Sequence, residues 1–143
     1  AVASALVGAD ALIMAAAPAD FRPSSVASQK MKKTAGSVPT IDLTQTEDIL
    51  QSTIDARKAG AVIVGFALET ENLAKNGADK LAKKALDMIV ANSAVDPGSG
   101  FGGDTNQVTF ILPDGSSEKT PLMKKSEIAD LILDRVAALM NGR

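Results

Sequence analysis

The chain has 143 residues, long enough for one domain with a hydrophobic core of its own. Hydrophobic residues make up 45% of it, but with no Trp, no Tyr and four Phe that core must be aliphatic. A net charge of −2 offers no field to recruit nucleic acid or an anionic membrane, and the lack of Cys and His excludes disulfides, thiolate or imidazole zinc sites and His-based triads.

The first residues read as the end of a helix stopped at Gly8. The apolar stretch 1–17 is interrupted by Asp10 and has no basic lead-in, which argues against a signal peptide. No apolar run is long enough for a bilayer span, so a cytoplasmic protein is expected. Leu12-Ile13-Met14, running into three alanines and Pro18, predicts a buried strand. Residues 18–39 are rich in Pro, Ser, Lys and Gly and predict a long loop, functional by its length and by its Asp20, Arg22, Lys30, Lys32 and Lys33.

Thr46-Glu47-Asp48 predicts a helix start capped by Thr46, with Ile49, Leu50, Thr53 and Ile54 at helical spacing and an end near Gly60. The β-branched run 61–68 is the clearest buried strand. A helix over 70–84 and a strand at Met88-Ile89-Val90-Ala91 follow. This alternation predicts an α/β fold, a Rossmann-like, mostly parallel sheet flanked by helices. Beyond it come a Gly-rich loop over 96–104, a strand over 107–112, a turn at Pro113-Asp114-Gly115 and a return strand over 119–123. A last helix, capped by Ser126, carries Ile128, Leu131, Ile132, Val136 and Leu139 on one stripe.

Four constellations could carry chemistry. Small residues after the first strand, Ala15-Ala16-Ala17-Pro18, let a ligand approach backbone groups, with Asp20 at the mouth; a tight turn pairing Asp20 with Arg22 is the alternative. Lys30-Met31-Lys32-Lys33 suits phosphate, though such clusters are commonly solvated runs. On the helix after the central strand, Lys80 and Lys84 lie about 40° apart at about 100° per residue. With Leu73 and Gly77 they form one shoulder of a stripe of Ala74, Ala78, Leu81 and Ala85, and two ammonium groups there could clamp a polyphosphate or simply snorkel from a surface helix. Phe66 could cover a base or sugar. The loop Gly100-Phe101-Gly102-Gly103-Asp104 opens no helix and matches neither a Walker loop nor the dinucleotide fingerprint. That also disfavours a dinucleotide-using oxidoreductase.

Taken in order, these motifs resemble bacterial phosphopantothenoylcysteine synthetase, also called phosphopantothenate–cysteine ligase. In that family the domain is often the carboxyl-terminal half of a bifunctional coenzyme A biosynthesis flavoprotein. The matching residues are Ala15-Ala16-Ala17-Pro18-Ala19-Asp20-Phe21-Arg22-Pro23, Lys30-Met31-Lys32-Lys33, Gly65-Phe66-Ala67-Leu68-Glu69-Thr70 and the pair Lys80/Lys84 leading to Leu86-Asp87-Met88-Ile89-Val90-Ala91-Asn92. Gly100-Phe101 through Asp104, Asn106 and the final helix complete a match over nearly the whole chain, one single but partial domain over 1–143.

The resemblance implies that the carboxylate of 4′-phosphopantothenate attacks the α-phosphate of CTP, pyrophosphate leaves, and the amine of cysteine displaces CMP from the acyl-cytidylate. It implies Mg²⁺ with no ligand set readable here, and FMN only in a fused decarboxylase domain outside this chain. By the match, Met14, Ala15, Ala16 and Asp20 contact the nucleotide, and Lys30 lies at the α-phosphate as the catalytic residue. Glu47, Asp48, Ile49 and Leu50 line the nucleotide site, and Phe66, Lys80 and Lys84 complete it. Family members often carry Asn-Pro-Asp where this chain has Thr46-Glu47-Asp48, which puts a side-chain contact there in doubt. The family's first strand, Gly-rich turn and Asn/Ser-rich segment have no counterpart here, so this chain alone is expected to show little ligase activity. A homodimer or higher oligomer through a fused domain is implied, with no nucleic-acid or membrane partner. The alternative reading is a non-catalytic nucleotide-binding or dimerisation module.

Overall fold

The computed structural model describes residues 1–32, 38, 40–69, 73–93 and 103–142; of residues 69, 73–76, 78 and 93 it describes the backbone. In chain order the elements are α1 (Val2–Leu6), β1 (Ala11–Met14), β2 (Phe21–Pro23), β3 (Leu43–Gln45), α2 (Ile49–Ser52), a 3-10 turn (Ile54–Ala56) and β4 (Val62–Glu69). Then come α3 (Leu73–Lys84), β5 (Met88–Ser93), β6 (Thr105–Asn106), β7 (Val108–Ile111), β8 (Ser117–Lys119), β9 (Met123–Lys124) and α4 (Lys125–Asn141). Contacts divide the chain into two units, Ala1–Ala16 with Ile49–Arg143, and Ala17–Asp48.

In the first unit a five-stranded sheet has the order β1-β4-β5-β7-β8. The first three strands run parallel, and β7 and β8 run antiparallel to their neighbours. The expected mostly parallel α/β sheet with a carboxyl-terminal hairpin and helix is therefore present. β4 is central enough to be covered on both faces, which is why it reads as an unbroken β-branched run rather than an alternation. One face carries Val62, Val64, Met88, Val90, Val108 and Phe110 against Ile128, Ile132 and Val136 of α4. The other carries Ile63, Ile89, Ala91 and Ile111 against Leu50, Leu81 and Leu86. Burying each large aliphatic side chain contributes about 1.5–3 kcal/mol, so these two layers dominate the fold's stability.

Two close approaches require glycine. A Cβ on Gly65 of β4 would lie 2.8 Å from Leu86 Cδ1 and 3.5 Å from Leu50 Cδ1. A Cβ on Gly77 of α3 would lie 2.7 Å from Ile111 Cδ1. α3 thus lies close on the sheet because Gly77 presents no side chain there.

Several expectations need correction. The loop expected over 18–39 contains β2, which pairs with β3 in a two-stranded antiparallel ladder in register Phe21↔Gln45, Arg22↔Thr44 and Pro23↔Leu43. The helix expected from Thr46 starts at Ile49 and lasts one turn. The Thr46 N–H is committed to the Asp20 carbonyl at 2.7 Å, and Thr53 Oγ1 donates to the Ile49 carbonyl at 2.6 Å. Thr53 so competes with helix propagation through its own backbone neighbour. Ser126 does not cap α4: it lies inside the first turn, while the Glu127 carboxylate accepts the Lys124 backbone N–H at 2.8 Å. Met123 pairs with Asn106 in a separate β6–β9 ladder rather than with β7. Ala85 is exposed, with φ 47°, so it leaves the stripe proposed for α3, whereas Leu81 is buried as expected and Gly77, expected on the shoulder, is buried too. Ala74 and Ala78 have no described side chains, and the Gly-rich stretch up to residue 102, Thr70 and Lys33 lie outside the described residues.

Candidate functional site

β1 ends where its chemistry changes. Met14 is half-buried and packs on the Leu50–Leu81–Leu86 layer, opposite Gly65 in the strand register. Ala15 and Ala16 then leave the sheet and are exposed, with the Ala15 N–H donating to the Ile13 carbonyl at 3.2 Å. The carboxyl end of a parallel strand, followed by side chains no larger than methyl, leaves backbone polar groups open to a ligand.

α2 and α3 lie over the same sheet face as Met14. α2 packs against α3, and Leu50 joins Leu81 and Leu86 above Gly65. The structure so brings Met14, Ile49 and Leu50 to the face on which α3 carries Lys80 and Lys84. Both lysines are half-buried, whereas Lys83 is exposed, as the wheel geometry predicts for the shoulders of a buried stripe. Along the helix they differ. α3 returns antiparallel to the strands, so Lys84 lies toward the edge where β5 begins, and Lys80 one turn nearer the carboxyl edge. Phe66 is not on this face. Its side chain packs against the other cluster, the one that α4 joins through Ile128, Ile132 and Val136. Any site that includes both Phe66 and the lysines must reach around the sheet.

The unit Ala17–Asp48 is built by the β2–β3 ladder. The Asp20 carbonyl accepts the Thr46 N–H, extending the ladder by one bond, and the Ser24 N–H donates to the Asp42 carbonyl at 2.8 Å at its other end. Two stretches far apart in sequence, one carrying Asp20 and the other Thr46-Glu47-Asp48, therefore meet. Asp20, Glu47 and Asp48 are exposed, and among the described residues no ion pair joins Asp20 to Arg22. Lys30, also exposed, lies in the segment connecting β2 to β3.

One charged side chain in this region carries no sequence signal. Arg57, between the 3-10 turn and β4, sends its guanidinium to three carbonyls. Nη1 donates to Lys84 at 3.0 Å and to Ala85 at 2.6 Å, and Nη2 donates to Leu50. Burial pulls its pKa down, and the nearby Asp87 carboxylate acts in the opposite direction. The Asp87 carboxylate itself accepts the Ile63 N–H at 2.7 Å. Nothing in spacing or motif marks Arg57, because its partners are backbone carbonyls.

Among the described residues no group of three or more carboxylates is placed to hold a metal ion. Among them, too, no helix is long and apolar enough to cross a membrane.

An open, mostly parallel sheet with small residues beyond one strand's carboxyl end is the architecture of α/β ligand-binding domains. Residues 1–140 match the family described as the DNA/pantothenate metabolism flavoprotein C-terminal domain, and the chain belongs to that family. The coenzyme A biosynthesis bifunctional protein CoaBC of Bacillus subtilis (strain 168) is 42% identical over 139 residues, covering 97% of this chain and 34% of that protein. A cysteine/cysteine sulfinic acid decarboxylase from an unknown prokaryotic organism is 41% identical over 132 residues, 92% of this chain and 36% of that protein. The crystal structure of the C-terminal domain of a CoaBC protein superposes with a TM-score of 0.73 at 29% identity, over 99% of this chain and 62% of that one. The chain spans about a third of the length of these two curated relatives. Their names describe different activities, so similarity alone selects neither.

Proposed function

We propose that this chain supplies the nucleotide half of a phosphopantothenate–cysteine ligase site, in coenzyme A biosynthesis. The observation that carries the reading is the similarity to CoaBC over 97% of the chain, with the ligase-like motifs in register along it. Amide formation through an acyl-cytidylate needs placement and neutralised phosphate charge but no enzyme nucleophile, and this chain has no Cys and no His.

In this reading the carboxylate of 4′-phosphopantothenate attacks the α-phosphate of CTP, forming a P–O bond to the acyl oxygen as the bond to pyrophosphate breaks. The cysteine amine then attacks the acyl carbon, loses a proton and expels CMP. Met14, Ala15 and Ala16 contact the nucleotide by backbone at the end of β1, with Asp20, Glu47, Asp48, Ile49 and Leu50 lining it. Phe66, Lys80 and Lys84 complete the pocket, and Lys30 lies at the reacting α-phosphate, where a flexible ammonium offsets developing charge. The Mg²⁺ that the resemblance implies would enter with the triphosphate, whose oxygens supply most of its charge neutralisation. A cytoplasmic homodimer, or a higher oligomer formed through a fused domain, is part of the same proposal.

The test is pyrophosphate release and amide formation in the full-length protein that carries this domain. CTP should support both steps better than ATP, and Lys30→Gln should slow conversion of the acid more than it weakens CTP binding. Wild-type protein that releases no pyrophosphate with either nucleotide would sink the reading, and unaltered amide formation in the Lys30 variant would remove that residue from it.

A further inference from the structure

Arg57 stands outside every motif, yet it makes bonds that sequence-distant elements depend on. Its Nη1 reaches the carbonyls of Lys84 and Ala85, and its Nη2 the carbonyl of Leu50. These are helix-end acceptors, groups that an α-helix leaves without an internal partner. A cation there also meets the negative end of the α3 dipole.

The end of α3 is unusual in its own right. The Leu86 N–H donates back to the Leu81 carbonyl at 2.9 Å, and Ala85 takes φ 47°, a closure in which glycine is the usual residue. The carbonyl of this closing residue is one of the acceptors that Arg57 holds, beside that of Lys84 in the last turn of α3. The guanidinium fork fits this arrangement in a way an ammonium does not, since it can address acceptors on two elements at once in fixed directions. Asp87, whose carboxylate holds the Ile63 N–H, adds its charge beside the guanidinium at the start of β5.

We infer that Arg57 is a positioning residue for nucleotide binding: by bonding Leu50 of α2 together with Lys84 of α3 and Ala85 just beyond it, it fixes the register between the helix carrying Ile49 and Leu50 and the helix carrying Lys80 and Lys84. The inference rests on the proposed nucleotide site. It adds a residue that touches no substrate and acts through the elements that do. Without the fork the two helices still pack through Leu50, Leu81 and Leu86, but apolar contacts allow sliding that directed hydrogen bonds do not.

The experiment uses the full-length protein with Arg57→Gln and Arg57→Lys, beside Lys80→Ala and Lys84→Ala, assayed well below each variant's Tm. Arg57→Gln should raise KM for CTP about 10-fold, the scale on which small misplacements act, while KM for phosphopantothenate stays within about twofold. Arg57→Lys should recover part of the loss. A lowered Tm with both KM values unchanged would make Arg57 merely structural and overturn the inference. If Arg57→Gln does not fold, Arg57→Lys carries the same split at smaller amplitude, and a wild-type KM for CTP in that variant overturns the inference equally. If both lysine variants leave KM for CTP unchanged, the lysine site itself is wrong and the inference falls with it. If they raise it while the Arg57 variants do not, the inference alone fails.

Discussion

Replacing Gly65 by alanine should destabilise the domain, and replacing Leu86 at the same time should cost less than the two changes added together. The methyl added in Gly65→Ala would start 2.8 Å from Leu86 Cδ1 and 3.5 Å from Leu50 Cδ1, in a layer where Leu86 is 6% exposed and Leu50 8%. Overpacking of that kind costs about 1–3 kcal/mol, and replacing a strand glycine returns about 0.5–1 kcal/mol of chain entropy, leaving a net loss centred on ~1 kcal/mol and reaching ~2.5 kcal/mol. Leu86→Ala alone opens a cavity and should cost about 2–4 kcal/mol. In the double variant the new methyl enters space that Leu86 has vacated, so the pair should be about 1 kcal/mol more stable than the sum. With no Trp or Tyr to report, urea unfolding followed by far-ultraviolet circular dichroism is the assay, read as midpoints at constant slope. Costs that add to within about 0.3 kcal/mol would refute the claim that Leu86 is what Gly65 makes room for.

Thr120 is 5% exposed, and its Oγ1 accepts the Val108 N–H at 3.1 Å, so Thr120→Val should cost about 1–3 kcal/mol by orphaning a buried donor while Thr120→Ser costs less. Equal losses in the two variants would show that packing, not the hydroxyl, matters. Ala85→Gly should stabilise by up to about 1 kcal/mol because φ 47° at that exposed position is strained for alanine; a lower unfolding midpoint would contradict it. Asp114 Oδ1 accepts the Ser116 N–H at 2.9 Å, and hydrogen bonds from Ser116 hold its carboxyl below its usual pKa. A depressed folded pKa means that the turn is favoured above the ordinary carboxylate pKa and loses this contribution as pH falls through the folded value. A carboxyl resonance for Asp114 that titrates at or above the ordinary carboxylate range would overturn that assignment.

The parts of the fold legible in the sequence are those in which a side-chain period reports burial. The run beginning at Ala61 is unbroken because β4 is covered on both faces through Gly65, although Leu68 at its end is 55% exposed, and α4 shows its stripe because one side packs on the sheet. β2 and β3 carry no such record. Each has three residues, and Phe21 and Leu43 are 58% and 60% exposed, so neither strand buries a face that would leave a period. Their pairing is a backbone fact, sealed by the Thr46 N–H on the Asp20 carbonyl. Thr46 ends that ladder with its buried Oγ1 bonded to nothing among the described residues, so it caps no helix: a cap residue can be recognised by type, but not whether its hydroxyl finds a helix N–H.

The candidate site divides along the same line. Met14, Leu50 and the α3 lysines share a face because apolar periodicity sets helix orientation, and that much follows from spacing. Phe66 follows the alternation of its own strand to the other face, which a list of motifs in chain order cannot register but the parity of residue numbers in β4 does: Val62, Val64 and Phe66 face α4, while Ile63 and Gly65 face α3. Phe66 can therefore act with the lysines only on a ligand that crosses the sheet's carboxyl edge. That requirement separates the members of the site. Met14 and the alanines after it stand at the end of β1, where such a ligand must pass, whereas Lys84 stands a full turn beyond Lys80 toward the opposite edge. If one extended nucleotide is shared among them, Lys80→Ala should weaken CTP binding more than Lys84→Ala in the full-length protein. The reverse order, measured by calorimetric titration, would place the phosphates along α3 and take Phe66 out of the site.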